Sequence, residues 1–161
     1  MYEENGIIIL QEYNIDAYID DMIAIENASF ARPWSRKAYL EEAKRNELAH
    51  YTGYFENNRL LGYGGFWLIL DEGHISNIAV HPSYRGRGIG RQIVQALTLL
   101  CLAVGGKRMT LEVRVSNTAA IHLYEQIGFK SVGIRKGFYT DNNEDAYIMW
   151  LGLSDMVLGE N

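Results

Sequence analysis

An apolar run from Gly73 to Val80 leads through His81-Pro82-Ser83-Tyr84-Arg85-Gly86-Arg87-Gly88-Ile89-Gly90-Arg91 into a second apolar run that reaches Val104. The first run has the length of a strand and the second the spacing of a helix, so a tight turn must join them. Gly86, Gly88 and Gly90 carry no Cβ, which lets the backbone turn sharply and come within hydrogen-bonding distance of a ligand. The first turn of a helix has N–H groups without intrahelical acceptors, and the positive end of the helix dipole lies at the same place. The segment therefore predicts an anion cradle, with Arg85, Arg87 and Arg91 adding charge. Two familiar phosphate loops are excluded. No lysine follows the glycines, as G-x-x-x-x-G-K-[ST] requires, and Arg91 stands where a dinucleotide fingerprint needs its third glycine. The pattern that remains is [RQ]-x-x-G-x-G, filled here by Arg85-Gly86-Arg87-Gly88-Ile89-Gly90.

The 161 residues suit a single domain spanning 1–161, and 48% hydrophobic residues are enough for a sizeable core. The longest nearly apolar run, Ile93 to Val104, is broken by Gln95 and Thr98 and is too short to cross a bilayer. The start, Met1-Tyr2-Glu3-Glu4-Asn5, is acidic before Ile7-Ile8-Ile9-Leu10, the reverse of a signal peptide, so a cytoplasmic protein without membrane attachment is expected. Cys101, the only cysteine, lies inside an apolar helical run and reads as a structural thiol. His50, His74, His81 and His122 have no ligand spacing, so no metal is assigned. A net charge of −5 argues against nucleic acid as a direct partner and fits a cationic one.

Strand and helix patterns alternate, which predicts an α/β chain. Strands are expected over Gly6–Gln11, Leu48–Phe55, Leu60–Leu70, Gly73–Val80, Arg108–Val115, Lys130–Arg135 and Ala146–Leu151. Glu56-Asn57-Asn58-Arg59 signals a hairpin between the second and third of these. Helices are expected over Ile15–Ala28, from Ser35 as N-cap to about Asn46, from Gly88 to Val104, and from an Asn117 cap to Gly128. On the third helix the spacing places Ile89, Ile93, Leu97, Leu100 and Val104 on one face.

In the fifth strand Met109, Leu111, Val113 and Val115 share one face, while Glu112 sits on the other with Thr110 and Arg114. Glu112 alone reads either as a solvated carboxylate or as a base. Tyr124 falls in a helical stripe with Ala120, Leu123 and Ile127, and reads either as a core tyrosine or as an acid.

The run Leu111-Glu112-Val113-Arg114-Val115-Ser116-Asn117-Thr118-Ala119-Ala120-Ile121-His122-Leu123-Tyr124-Glu125-Gln126-Ile127-Gly128-Phe129 closely resembles the L-E-V-R-x-S-N-x-x-A-x-x-L-Y-x-x-x-G-F signature of RimI-type members of the GNAT superfamily. Asn77-Ile78-Ala79-Val80, the glycine loop, Phe30-Ala31-Arg32-Pro33-Trp34-Ser35 and Glu144-Asp145-Ala146 resemble the same group in the same order. The resemblance implies a GNAT fold, a mixed, mostly antiparallel sheet splayed at the cofactor cleft and flanked by helices. It implies an acetyl-CoA-dependent enzyme acting on a protein N-terminus, in that group the terminal alanine of a small-subunit ribosomal protein. Carried over, it makes Glu112 the general base and Tyr124 the general acid. It gives acetyl-CoA the main chain of Ile78, Ala79 and Val80, the loop residues Arg85, Gly86, Arg87, Gly88, Ile89, Gly90 and Arg91, and the Asn117 side chain. Phe30, Trp34 and Phe138-Tyr139 would face the acceptor. Acetylation of lysine or a small amine, and an acyl-CoA-binding module without turnover, are the alternatives. An acidic lip for a basic peptide is expected from Asp141, Glu144 and Asp145, with Glu26 adding to it.

Overall fold

A computed structural model describes residues 5–154; the acidic start at residues 1–4 lies outside them. The strands are β1 (Gly6–Leu10), β2 (Ala49–Glu56), β3 (Arg59–Ile69), β4 (Glu72–Val80), β5 (Arg108–Arg114), β6 (Lys130–Tyr139) and β7 (Glu144–Gly152), and the helices α1 (Ile15–Ser29), α2 (Arg36–Arg45), α3 (Ile89–Ala103) and α4 (Thr118–Ile127). They form one sheet ordered β1-β2-β3-β4-β5-β7-β6. The β4–β5 pair is parallel, whereas β1–β2, β2–β3, β5–β7 and β6–β7 are antiparallel, which is the mixed, mostly antiparallel sheet expected. Among the described residues, no helix is long and apolar enough to cross a membrane.

The chain divides into two compact units. Among the described residues, one runs through Trp67 and includes Ser76–Leu100; the other comprises Leu68–Ile75 and the residues from Cys101 on. In the first unit, α1 buries Ile15, Tyr18, Ile19, Met22 and Ile25 against Tyr39, Tyr51, Phe55, Leu60 and Tyr63. Ser35 caps α2, its Oγ accepting the Ala38 N–H at 3.1 Å. The β2–β3 hairpin turns at Asn57 and Asn58, both left-handed with φ of 52° and 61°, a conformation asparagine tolerates better than most residues. Helix α3 packs so closely on β3 that a Cβ at Gly64 would lie 2.9 Å from Ile93 Cγ2. Its buried face is Ile89, Ile93, Val94, Leu97, Thr98 and Cys101. The stripe thus ends on Cys101, one four-residue step past Leu97, while Leu100, expected on this face, is half-buried and Val104 is exposed because the helix stops at Ala103.

In the second unit, β5 pairs with β7 over its whole length, from Arg108↔Gly152 to Arg114↔Ala146. Met109, Leu111 and Val113 are buried, as their shared face predicts, and Thr110 on the opposite face is buried as well, its hydroxyl donating to the Met149 carbonyl at 2.9 Å. The Asn117 side chain accepts the Ala120 N–H to open α4, and Gly128 closes it at φ 122°. Strands β6 and β7 are both longer than the sequence pattern predicts. Phe138 and Tyr139 belong to β6 and Glu144 and Asp145 to β7, with Tyr139 paired to Glu144 beyond a register shift. Gly137, at φ 61°, carries the strand through that irregularity.

Candidate active site

The first unit holds the glycine turn. Gly86 and Gly88 have φ of 80° and 79°, the left-handed region that favours glycine, and a Cβ on either would meet nothing within 4 Å. The backbone there is bent and uncovered. The Gln92 N–H closes the first turn of α3 on the Gly88 carbonyl at 3.2 Å, so the amides before it belong to the open helix end. Ile89 is buried, which leaves only its main chain to a ligand. Arg85 ties the turn inward, Nε donating to the Val80 carbonyl at 3.0 Å and Nη2 to Ser29 Oγ at 3.4 Å. Arg87 is paired with Glu56 at 2.8 Å, and that hydrogen bond and charge raise its pKa. Both arginines therefore have partners within the protein, so the arginine count overstates the charge free for an anion. Of the strand leading into the turn, Ala79 is buried and Ile78 and Val80 are half-buried.

The same unit carries the segment between α1 and α2. Phe30 and Trp34 are each 40% exposed. Beneath them Glu26 is only 3% exposed, which corrects its expected place on an acidic lip. Its position on the apolar stripe of α1 buries it, and three donors satisfy it there. The Trp34 N–H reaches Oε1 at 2.9 Å, the Tyr39 hydroxyl reaches Oε2 at 2.8 Å, and the Tyr63 hydroxyl makes a short bond to the same oxygen. Asn77, the residue before Ile78, donates to the Tyr39 hydroxyl. Burial, then the neighbouring tyrosine and the Glu26 charge, raise the Tyr39 pKa. Sequence reasoning missed this network; its one signal was a glutamate in register with Ile15, Ile19 and Met22.

The second unit holds Glu112, Asn117, Tyr124 and Tyr139. Glu112 is half-buried on β5, with Arg135 Nε 3.6 Å from its Oε1. Tyr124 is half-buried on α4, edge-on to Phe129, and its hydroxyl has no hydrogen-bond acceptor among the described residues. Burial, and after it Tyr139, pushes its pKa up to about 12. Asn117 Oδ1 is spent on the α4 cap. The Arg114 guanidinium lies 3.9 Å over the Tyr139 ring.

The expected acidic lip is not a free one. Arg114 pairs with Asp141 at 2.9 Å and Glu144 at 3.3 Å, and the Ser116 N–H donates to Glu144 at 2.8 Å. Asp145 accepts the Gly137 N–H at 2.9 Å and lies 3.2 Å from Lys136 Nζ. Hydrogen bonds from Ser116 depress the Glu144 pKa to about 2, and the bond from Arg114 depresses that of Asp141. Three carboxylates facing two cations leave little charge to attract a peptide. No group of three or more His, Cys, Asp or Glu suited to a metal occurs among the described residues.

An uncovered glycine turn at a helix start, preceded by the strand Ile78–Val80 and followed in the chain by Glu112 and Tyr124, is the ordered set expected of one enzyme family. The Acetyltransferase (GNAT) family matches residues 19–129. The chain belongs to the GNAT acetyltransferase family. It is 37% identical over 134 residues to the [ribosomal protein bS18]-alanine N-acetyltransferase of Escherichia coli K12, spanning 81% of this chain and 88% of that one. A Bacillus subtilis protein assigned to the same class is 41% identical over 137 residues, 85% of this chain and 91% of its own length. The crystal structure of the E. coli ribosomal-protein-S18-alanine N-acetyltransferase superposes with a TM-score of 0.80 at 34% identity, covering 93% of this chain and 94% of that one. The sheet with α1 to α4 is thus a GNAT fold.

Proposed function

We propose that this GNAT enzyme transfers acetyl from acetyl-CoA to the α-amine of a protein N-terminus, and that its substrate is the N-terminal alanine of ribosomal protein bS18. The observation that carries the substrate is the similarity, along more than four fifths of the chain, to an E. coli enzyme of that specificity. The left-handed glycines with open space above them fit a pyrophosphate, and Gly86 to Arg91 with the Asn117 side chain are assigned to holding acetyl-CoA. When bound, it supplies the acetyl group as a thioester.

The chain's own groups then have separate tasks. The main chain of Ile78 to Val80 orients the thioester, and an N–H at Val80 stabilises negative charge on its carbonyl oxygen. The His81 N–H is excluded from that task because it already donates to the Leu61 carbonyl at 2.8 Å. Glu112, directly or through a water, takes the proton that becomes acidic as the amine attacks. Tyr124 stays protonated across the physiological range and donates to the departing thiolate. A thiol of pKa near 8.5 is the stronger acid of the two by about 3.5 units, so Tyr124 acts by hydrogen bonding more than by completed proton loss. Cys101 is fully buried, and burial raises its thiol to about 11, which argues for direct transfer without an acyl-cysteine.

Amine chemistry favours an N-terminus over lysine. An α-amine of pKa about 7.7–8.0 is roughly 10–17% neutral at pH 7, whereas a lysine near 10.4 is below about 0.1%. Incubation with acetyl-CoA and, separately, an Ala-first peptide, an N-blocked lysine peptide and a polyamine, followed by thiol release, tests the reading. The Ala-first peptide should be turned over fastest, and preference for either other amine would contradict it.

A further inference from the structure

A groove of about 550 Å³ in the first unit is lined by Trp34, Ala38, Glu41, Glu42, Arg45, Asn46 and Trp67. Two of the chain's three tryptophans stand in it, 40% and 37% exposed, an unusual position for the largest apolar side chain. Its carboxylates differ from the latched ones near Tyr139. Glu42 is 7% exposed and has no cation within 4 Å among the described residues; its side-chain partners are neutral, the Asn46 amide at 2.6 Å and the Tyr51 hydroxyl. Glu41 is exposed and has no ion pair among the described residues. The groove lies at the C-terminal end of α2, where the helix dipole is negative. Arg45 also lines it. No carboxylate lies within the 4 Å of an ion pair with Arg45 among the described residues, although Glu41 also borders a neighbouring surface with Arg36, Lys37 and Lys44, which leaves the buried Glu42 as the groove's main cation-seeking group.

A buried carboxylate without a cation, a helix C-terminus and two indole faces all favour one class of ligand. We infer that this groove is a subsite for a cationic side chain, a guanidinium above all, carried by the acceptor peptide behind its N-terminus. A guanidinium can stack on indole while donating two hydrogen bonds to a carboxylate, which an ammonium matches less well. Trp34 links the subsite to the acceptor-facing segment, since its ring lines the groove and its N–H is held by Glu26. The inference rests on the N-terminal acetylation reading and adds a specificity element to it.

Ala-first peptides carrying one arginine at successive positions, each beside a citrulline twin of the same shape without charge, provide the test. At one position arginine should raise kcat/KM by roughly 5- to 30-fold, mainly through KM, and the advantage should shrink with added salt. In Glu42→Gln and Trp67→Ala the ratio of arginine to citrulline should fall close to one, and in the exposed Glu41→Gln it should fall partway. Asp141→Asn should leave the ratio as it is. Calorimetry with the N-acetylated arginine and citrulline peptides reads the same preference without turnover. If no peptide is acetylated yet the arginine peptide binds better and loses that advantage in Glu42→Gln, the substrate reading fails and the subsite stands. Equal binding of the twins, or a ratio unchanged in both Glu42→Gln and Trp67→Ala, would overturn the subsite, and Glu42 would be only the anchor of Asn46.

Discussion

The backbone N–H of Trp34 donates to Glu26 Oε1 at 2.9 Å, so a loop that exposes an indole to solvent is held from inside the core. Three hydrogen bonds converge on that carboxylate, and Asn77 extends the network to the residue before Ile78. The assigned acceptor loop and the assigned thioester strand are thereby fixed against each other within one unit.

Glu26→Gln should weaken this arrangement with little change of shape, because an amide NH₂ must replace one of two accepting oxygens. An unmatched buried donor costs about 1–3 kcal/mol, which corresponds to a fall in Tm of about 3–9 °C. Peptide KM should rise while acetyl-CoA affinity stays near wild type. Thermal unfolding and steady-state kinetics check this, and wild-type values for both Tm and KM would show that the network does not hold the loop.

Tyr124→Phe should lower kcat by roughly 10²–10⁴-fold with little change in acetyl-CoA binding. The pH dependence follows from a pKa raised to about 12. The protonated form is the donor and is lost only as pH rises through that value. The wild-type kcat should therefore hold through about pH 10, where an ordinary tyrosine is half ionised, and fall only as pH approaches about 12. Glu112→Gln should impair amines of high pKa more than α-amines. Unchanged turnover in both variants on a good peptide would remove the two assignments.

The elements that carry these groups were legible in the sequence because local signals and tertiary demands agree there. The Asn57-Asn58 turn, the Ser35 and Asn117 caps and the alternation that sets Glu112 apart from Leu111 and Val113 are all short-range features. What escaped depends on partners distant in sequence. Asp141 and Glu144 read as solvated carboxylates until Arg114 is folded against them, and Glu26 read as a surface charge until Tyr39 and Tyr63 close over it. Phe138 and Tyr139 looked like loop because Gly137 breaks the alternation, whereas the strand continues through it.

Gly88 should be intolerant for a backbone reason. Its φ of 79° is strained for any residue with a Cβ, by about 1–2 kcal/mol, although the space around it is open. Gly88→Ala should therefore lose some stability, and Gly88→Val more, where steric exclusion of the ligand alone would leave the fold intact. Both should weaken acetyl-CoA binding. Calorimetry beside thermal unfolding separates the effects, and undiminished affinity in a folded variant would contradict the cradle.

The Arg114 latch should be acid-sensitive. Glu144 has a folded pKa of about 2 against an ordinary value near 4.5, so its contribution is present above the ordinary value and is lost as pH falls from there toward 2. The Tyr139 environment, followed by NMR, should change over that interval. Arg114→Met should remove the pairing with Asp141 and loosen Tyr139 at neutral pH, raising peptide KM. A Tyr139 signal that ignores both acid and Arg114→Met would show that the latch does not position it.

Mass spectrometry of unacetylated ribosomal protein bS18 after incubation with this enzyme and acetyl-CoA tests the central claim most directly. The account predicts one added acetyl group, localised by fragmentation to the α-amine of the N-terminal alanine, formed rapidly by the wild type and at a rate lower by roughly 10²–10⁴-fold with Tyr124→Phe. Acetyl found on lysine side chains with the α-amine untouched, or the same rate with Tyr124→Phe, would contradict it.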